Sequence, residues 1–182
     1  MKIEVNKPGK KEYYDEFLYI ASFYKKIKKN TNKKIQTLTV YLKKYISYVL
    51  LSFILFGLFY YLTKNLIYIF FIGMLFLILV YLIIYLCNTN KMLNSLMNSN
   101  GTKFIEIDET GVEYKDSEKN VKINWKNIDF ILLTKYSICF IPKEEMGIFI
   151  SVSNDYKDKI FEGIKKYRKE KLVIDNEKLH IK

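Results

Sequence analysis

The sequence predicts an α+β membrane protein: a two-helix transmembrane hairpin followed by a small curved antiparallel sheet that lies in the cytoplasm and is closed by a C-terminal helix. Three observations carry this. Residues 45–63 and 65–90 are uncharged and rich in apolar side chains, with Lys64 alone between them. Positive charge is crowded ahead of the first stretch, where residues 1–45 hold twelve lysines against four acids. Beyond residue 101, short apolar or alternating runs are broken at close intervals by turn residues, and one amphipathic stretch comes last.

The spans fix the first part of this reading. At 1.5 Å per residue, residues 45–63 and the apolar body 66–87 reach roughly 28 and 33 Å as helices, against a hydrocarbon core of about 30 Å. A lysine at mid-bilayer costs about 3 kcal/mol on insertion scales, and a single span through Lys64 would be about 65 Å long. Both problems vanish if Thr63, Lys64 and Asn65 form the turn of a helical hairpin. Lys25, Lys26, Lys28, Lys29, Lys33, Lys34, Lys43 and Lys44 precede the hairpin and Lys91 follows it, whereas its tip offers only Lys64. The positive-inside rule then places both termini in the cytoplasm of a multi-pass protein of the cell membrane. Tyr60, Tyr61 and Tyr68 would make the outer aromatic belt, and Tyr45, Tyr48, Tyr81 and Tyr85 the inner one. The first span begins too late for a cleaved signal peptide, so the hairpin is expected to stay as an anchor. Neither span carries an ionisable Asp, Glu, Arg, Lys or His, which speaks against a proton or ion relay. A pore lined by Ser47, Ser52 and tyrosines in an oligomer stays open. Gly57 and Gly73 lie at similar depth and are the candidate residues for close helix–helix packing.

Residues 1–44 form a basic N-terminal arm. Tyr13, Phe17, Ile20, Tyr24 and Ile27 recur at helical spacing behind a Pro8-Gly9 break. Two readings of this amphipathic helix stand. It lies on the inner leaflet, with Lys25, Lys26, Lys28, Lys29, Lys33 and Lys34 as membrane-surface contacts, or its aromatic face packs on the C-terminal domain. The opening "MKIEV" is a candidate edge strand for the sheet.

The cytoplasmic domain spans 101–172, and residues 173–182 are a tail. After a break at "NSNG" the strand signals are "FIEI" (104–107), "VEY" (112–114), "VKINW" (121–125), "IDFILL" (128–133), "SICFI" (137–141, ended by Pro142) and, past "KEEMG", "IFISV" (148–152). Val121, Ile123 and Trp125 share one face, and a lone tryptophan there reads as core. The last helix takes Asn154 as N-cap and shows the stripe Tyr156, Ile160, Phe161, Ile164 and Tyr167.

Two adjacent membrane helices followed by "FIEIDETGVEYKDSEKNVKINWKNIDFILLTKYSICFI" and a C-terminal helix resemble the YcxB-like family of small bacterial membrane proteins. The shared features are the "DETGV" turn, "INWKNI" ahead of a strand, a tyrosine-bearing hairpin and the "EYYDEF" of the arm. The resemblance covers nearly the whole chain and implies a pleckstrin-homology-like half barrel. It implies no activity and supplies no functional residues. The sequence departs from the family at "ISVSND", where a proline followed by basic residues is expected.

Several functions are disfavoured by composition. The region from 101 onward holds sixteen basic and fifteen acidic residues, so no nucleic-acid partner is expected. Lys115, Lys119, Lys122 and Lys126 are interleaved with Asp116 and Glu118, a poor phosphate site. The single histidine, His180, sits near the end, and the seven glycines form no phosphate-binding loop. Asp108/Glu109 and Glu144/Glu145 fall in turns, where solvated acids are usual. Cys87 and Cys139 read as apolar fillers. No catalytic residue, cofactor or metal is therefore expected, and the partners are the lipid bilayer and either another protein or a second copy. The expected function is a membrane-anchored, non-catalytic, regulatory domain for protein or membrane-surface interaction. The alternatives are an accessory subunit of a transporter or small channel, or an immunity-type inhibitor of a toxin or peptide.

Overall fold

The computed structural model describes residues 1–98, 103–116, 119–143, 148–167 and 169–176. The "NSNG" break beyond residue 98, the "KEEMG" turn beyond Lys143, Glu118 and His180 fall outside them. In chain order the elements are β1 (Lys2–Val5), α1 (Lys11–Lys29), α2 (Leu38–Thr63), α3 (Ile67–Asn98), β2 (Lys103–Ile107), β3 (Gly111–Lys115), β4 (Asn120–Asn124), β5 (Ile128–Leu133), β6 (Ser137–Pro142), β7 (Ile150–Ser153), α4 (Lys157–Lys166) and β8 (Val173–Asp175). They fall into two compact units: a lobe built from residues 1–36 and those from 97 onward, and a helical pair over Thr37–Leu96.

The helical pair follows from the apolar runs. Thr37 caps α2, its hydroxyl accepting the Val40 N–H at 3.3 Å. The helix ends where Lys64 adopts the left-handed conformation at φ 54°, its N–H bonding the Tyr60 carbonyl at 2.8 Å. Asn65 then accepts the Ile67 N–H through Oδ1 at 3.0 Å and starts α3. Lys64 therefore sits in the turn, with its ammonium 4.6 Å from the Tyr61 ring centroid. Both helices outrun their apolar stretches at the end away from this turn, taking in Lys43 and Lys44 on α2 and Asn88, Asn90 and Lys91 on α3. In the most apolar 18 residues, 6% of α2 and none of α3 is buried. By length and composition each is able to cross a membrane.

The glycines do not hold the pair together. A Cβ built on Gly57 or Gly73 meets nothing within 4 Å, so the expected close approach between them is absent. Aromatic rings fill that role near the turn: Phe56 stacks on Phe71 at 5.4 Å and Phe59 on Tyr68 at 5.8 Å. Rings of this size keep the backbones too far apart for glycine contact.

The lobe has two four-stranded sheets, ordered β1-β2-β3-β4 and β7-β6-β5-β8. The six strand signals appear as β2 to β7; the opening "MKIEV" forms the edge strand β1, where Ile3 pairs with Ile105, and the structure adds β8 at an edge of the other sheet. All pairings are antiparallel except β5–β8. Strand β8 comes from the expected tail, and its three residues are too short to show a period. Between the sheets lies a core that includes Ile105, Ile107, Val112, Ile123, Ile131, Ile138, Phe140 and Val152, joined by Ile160 and Ile164 of α4. Ser153, rather than Asn154, caps the turn into α4 by accepting the Asp155 N–H; Asn154 instead donates to the Thr134 and Lys135 carbonyls.

The arm is part of this lobe. The second reading of its helix holds, and residues 1–36 belong with the sheets rather than forming a separate arm to residue 44. α1 lies against the outer face of the second sheet, where Tyr13 donates to the Ser151 carbonyl at 2.9 Å, Phe17 meets Phe149 at 5.2 Å and Tyr24 donates to the Pro142 carbonyl at 2.7 Å. This explains why every residue of β6 is buried. Glu16, only 1% exposed, accepts the Thr134 hydroxyl at 2.9 Å and also bonds the Ser137 hydroxyl.

Two glycines mark contrasting constraints. A Cβ at Gly111 would run into the Ile123 carbonyl oxygen and come 2.8 Å from Asn124 Cα, both backbone atoms of β4. At Gly163 of α4 it would meet side-chain atoms only, Ile107 Cδ1 at 3.0 Å and its Cβ and Cγ2 at 3.4 Å, so that this buried side chain would have to yield by a few tenths of an ångström. Gly111→Ala should therefore destabilise the lobe by about 3 kcal/mol or more, while Gly163→Ala costs about 1 kcal/mol. Urea unfolding of the purified protein checks the order; equal losses would refute the backbone-contact account.

Candidate functional site

The site grows from one corner of the lobe. The "VKIN" strand β4 ends at Asn124, and a 3-10 turn at Trp125–Asn127 carries the chain into β5 and hence from one sheet to the other. Trp125 is 7% exposed and joins the core, as a lone tryptophan in that pattern should. Its indole N–H donates to the Asp108 carbonyl at 2.8 Å, and its backbone N–H to the Thr110 carbonyl at 3.0 Å. Asp108 shapes the opposing turn. Its Oδ1 accepts the Thr110 N–H at 2.7 Å, the Thr110 hydroxyl at 2.6 Å and the Gly111 N–H at 2.8 Å. The Thr110 hydroxyl, with these amides and Lys122 assisting, holds the Asp108 carboxyl down at about 2. The "DETGV" and "INWKN" segments are thus one joint.

Beside this joint opens a cleft of about 880 Å³. Its walls come from the β2–β3 turn (Glu109, Thr110), the corner (Asn124 to Lys126, Ile128, Asp129), the end of β6 (Lys143) and the stretch after α4 (Lys169, Lys171, Leu172). The Lys169 ammonium stands 5.9 Å from the Trp125 ring centroid, at the outer limit of a cation–π contact. Asp129 is paired with Lys28 at 3.3 Å. Among the described residues, Lys126, Lys143, Lys169 and Lys171 make no ion pair, whereas Lys10, Lys115 and Lys122 are each paired with acids elsewhere. Sequence reasoning weighs Lys115, Lys119, Lys122 and Lys126 as a group because they are neighbours in the chain. Only Lys126 of these lines the cleft. The other three cleft lysines come from distant segments, and no local spacing announces them.

The candidate membrane-surface lysines are not equivalent. Lys25, Lys26, Lys29, Lys33 and Lys34 are exposed, while Lys28 turns inward onto Asp129 and the carbonyls of Pro142 and Lys143. That partnership commits Lys28 to the lobe. The linker after α1 is gripped by Asn176, a residue that sequence reasoning leaves in the tail. Its Nδ2 donates to the Thr31 carbonyl at 2.7 Å and the Lys33 carbonyl at 3.0 Å, and its Oδ1 accepts the Ile35 N–H at 3.2 Å. A single asparagine leaves no pattern in a sequence. Cys139 is fully buried under α1, and burial pushes its thiol up to about 12. Among the described residues no group of three His, Cys, Asp or Glu side chains is placed to hold a metal ion.

Compared with family models, curated proteins and solved structures, the chain matches none of them.

The Asp108 turn has a pH signature. A carboxyl whose folded pKa is below its unfolded value near 4 stabilises the fold above that value and loses the contribution as pH falls toward 2. Asp108→Asn should therefore flatten the loss of stability between pH 4 and pH 2 relative to the parent protein. Thermal melts across that range check it, and parallel curves would rule it out.

Proposed function

We propose that this chain is a two-span membrane protein that anchors a non-catalytic lobe at the cytoplasmic face of the cell membrane, where the lobe engages a protein or the membrane surface in a regulatory role. The lobe is read as a pleckstrin-homology-like half barrel of the YcxB-like type. Two sheets meeting at a corner and a helix packed into their core support that reading, as does the joining of the "DETGV" and "INWKN" motifs there.

The bareness of α2 and α3 carries the membrane part. The lobe completes its own core, yet Leu62, Phe70 and Leu77 remain 66%, 65% and 68% exposed, among many others on these two helices. Each large apolar side chain left in water forgoes about 1.5–3 kcal/mol, and a bilayer is the medium that relieves this along a helical pair. Orientation rests on charge. Lys43, Lys44 and Lys91 stand at the end opposite the turn, with Lys33 and Lys34 just before it in the chain, against Lys64 alone at the tip.

One observation favours the second reading, an accessory subunit of a transporter or channel. Gly57 and Gly73 face open space, which leaves room for a helix of another chain to approach. If that reading holds, Gly57→Leu and Gly73→Leu should impair function more than charge changes on the lobe.

Topology decides the main reading. In a Cys87→Ser background, the buried Cys139 is silent, so Lys64→Cys and Lys159→Cys each supply one accessible thiol. A membrane-impermeant thiol reagent applied to intact cells should label position 64, and label position 159 only after permeabilisation. Labelling of 159 from outside, or protection of both after permeabilisation, would defeat the proposal.

A further inference from the structure

We propose that the cleft beside Trp125 is a docking groove for an acidic segment of another polypeptide, one that carries apolar side chains among its carboxylates. The inference rests on reading the lobe as an interaction module, but not on which side of the membrane the lobe occupies.

Charge sets the sign of the occupant. Four lysines drawn from three separate parts of the chain converge on one concavity, and among the described residues none of them has an acidic partner. Of the two acids in the lining, Asp129 is already met by Lys28, which leaves Glu109. The groove is thus a local excess of positive charge, four lysines against the one acid of its lining that no lysine meets. An anionic partner gains attraction there that no internal group supplies.

The chemistry of the walls selects among anions. A compact phosphate is best held by a planar guanidinium fork or by a cradle of free backbone N–H groups. No guanidinium stands among the lining residues. The cations are lysines, and the N–H groups of Thr110, Trp125, Lys143, Lys169 and Leu172 are all bonded within the fold. What remains is mobile ammonium groups around an apolar floor of Trp125, Ile128 and Leu172, with Thr110 and Asn124 at the side. At about 880 Å³ the groove lies toward the upper end of the usual range for ligand sites, roughly 300–1,000 Å³. Several side chains fit where one phosphate would rattle. Carboxylates at the rim and aliphatic groups on the floor match this layout.

Trp125 is the chain's one tryptophan, so its emission reports on the groove directly. The test uses the full chain in uncharged detergent micelles. It is titrated with a short peptide alternating Glu and Leu, a matching Lys–Leu peptide, inorganic phosphate, and micelles doped with phosphatidylglycerol. The Glu–Leu peptide should give a saturable shift in emission that weakens with added salt. Lys169→Glu with Lys171→Glu should weaken its apparent affinity about tenfold or more. Lys126→Gln with Lys143→Gln should weaken it severalfold, which guards against misfolding of the first variant. Lys115→Gln, on a lysine already paired elsewhere, should leave it unchanged. The proposal is overturned if the acidic peptide gives no saturable shift, if the basic peptide matches it, or if both lysine pairs prove dispensable. It is likewise overturned if phosphate or anionic lipid gives the shift and the peptide does not; the lipid outcome would make the groove a membrane-surface contact.

Discussion

The lobe turns on the joint between Asp108 and Trp125. A two-sheet fold needs a place where the chain leaves one sheet and enters the other, and here that place is the 3-10 turn at Trp125–Asn127. A buried indole N–H without an acceptor would cost about 1–3 kcal/mol, and the Asp108 carbonyl supplies that acceptor. The carbonyl is presented only because the Asp108 side chain gathers Thr110 and Gly111 into a tight turn. The turn in turn reaches β4 only because Gly111 has no Cβ to strike the Ile123 carbonyl. Each contact presupposes the others, so the corner forms as a unit. The same unit supplies one wall of the lysine-lined cleft.

The two compact units differ in how far they bury their own apolar surface. The lobe closes on itself: both faces of β6 are covered, by the inter-sheet core on one side and α1 on the other. The helical pair holds itself together with a few aromatic rings and leaves its remaining apolar surface bare. Within the lobe, Asn176 fastens the stretch after α1 at Thr31, Lys33 and Ile35. Ile35 lies only two residues before the Thr37 cap of α2.

What the sequence reveals follows from the range over which each signal acts. The uninterrupted apolar runs, the lone charge at Lys64 and the alternation in "VKINW" are local, and α2, α3, the turn and β4 appear where those signals stand. The continuous apolar runs of β5 and β6 are also local, but their cause is remote: they lack a polar face because α1 covers it. Interactions that join distant segments leave no such trace. Lys28 has the same chemistry as its exposed neighbours and differs only in finding Asp129. Gly57 and Gly73 share a depth, yet the bulk of Phe56, Phe59, Tyr68 and Phe71 decides the spacing of the helices. The cleft lysines at 126, 143, 169 and 171 become neighbours only once both sheets and α4 are in place.

Glu16 shows why a buried polar contact belongs in an otherwise oily seam. Between Tyr13 and Ile20, α1 is buried on most of its circumference, with Tyr13, Tyr14, Leu18, Tyr19 and Ile20 all inside. A helix apolar nearly all round has many orientations of similar hydrophobic energy, because burial is non-directional. Hydrogen bonds are directional. Rotating α1 or sliding it by a turn would take the Glu16 carboxylate from the Thr134 and Ser137 hydroxyls, which keep each other as partners while the buried charge loses both, at a cost of about 1–3 kcal/mol or more. The apolar residues supply the attraction that brings α1 to the sheet, and Glu16 sets its rotation and register. That in turn positions Lys28, about three turns nearer the C-terminal end of the same helix with Phe23 departing from helical geometry between them, against Asp129. The neutralisation of Asp129, and with it the positive character of the cleft, traces back along α1 to a single buried acid.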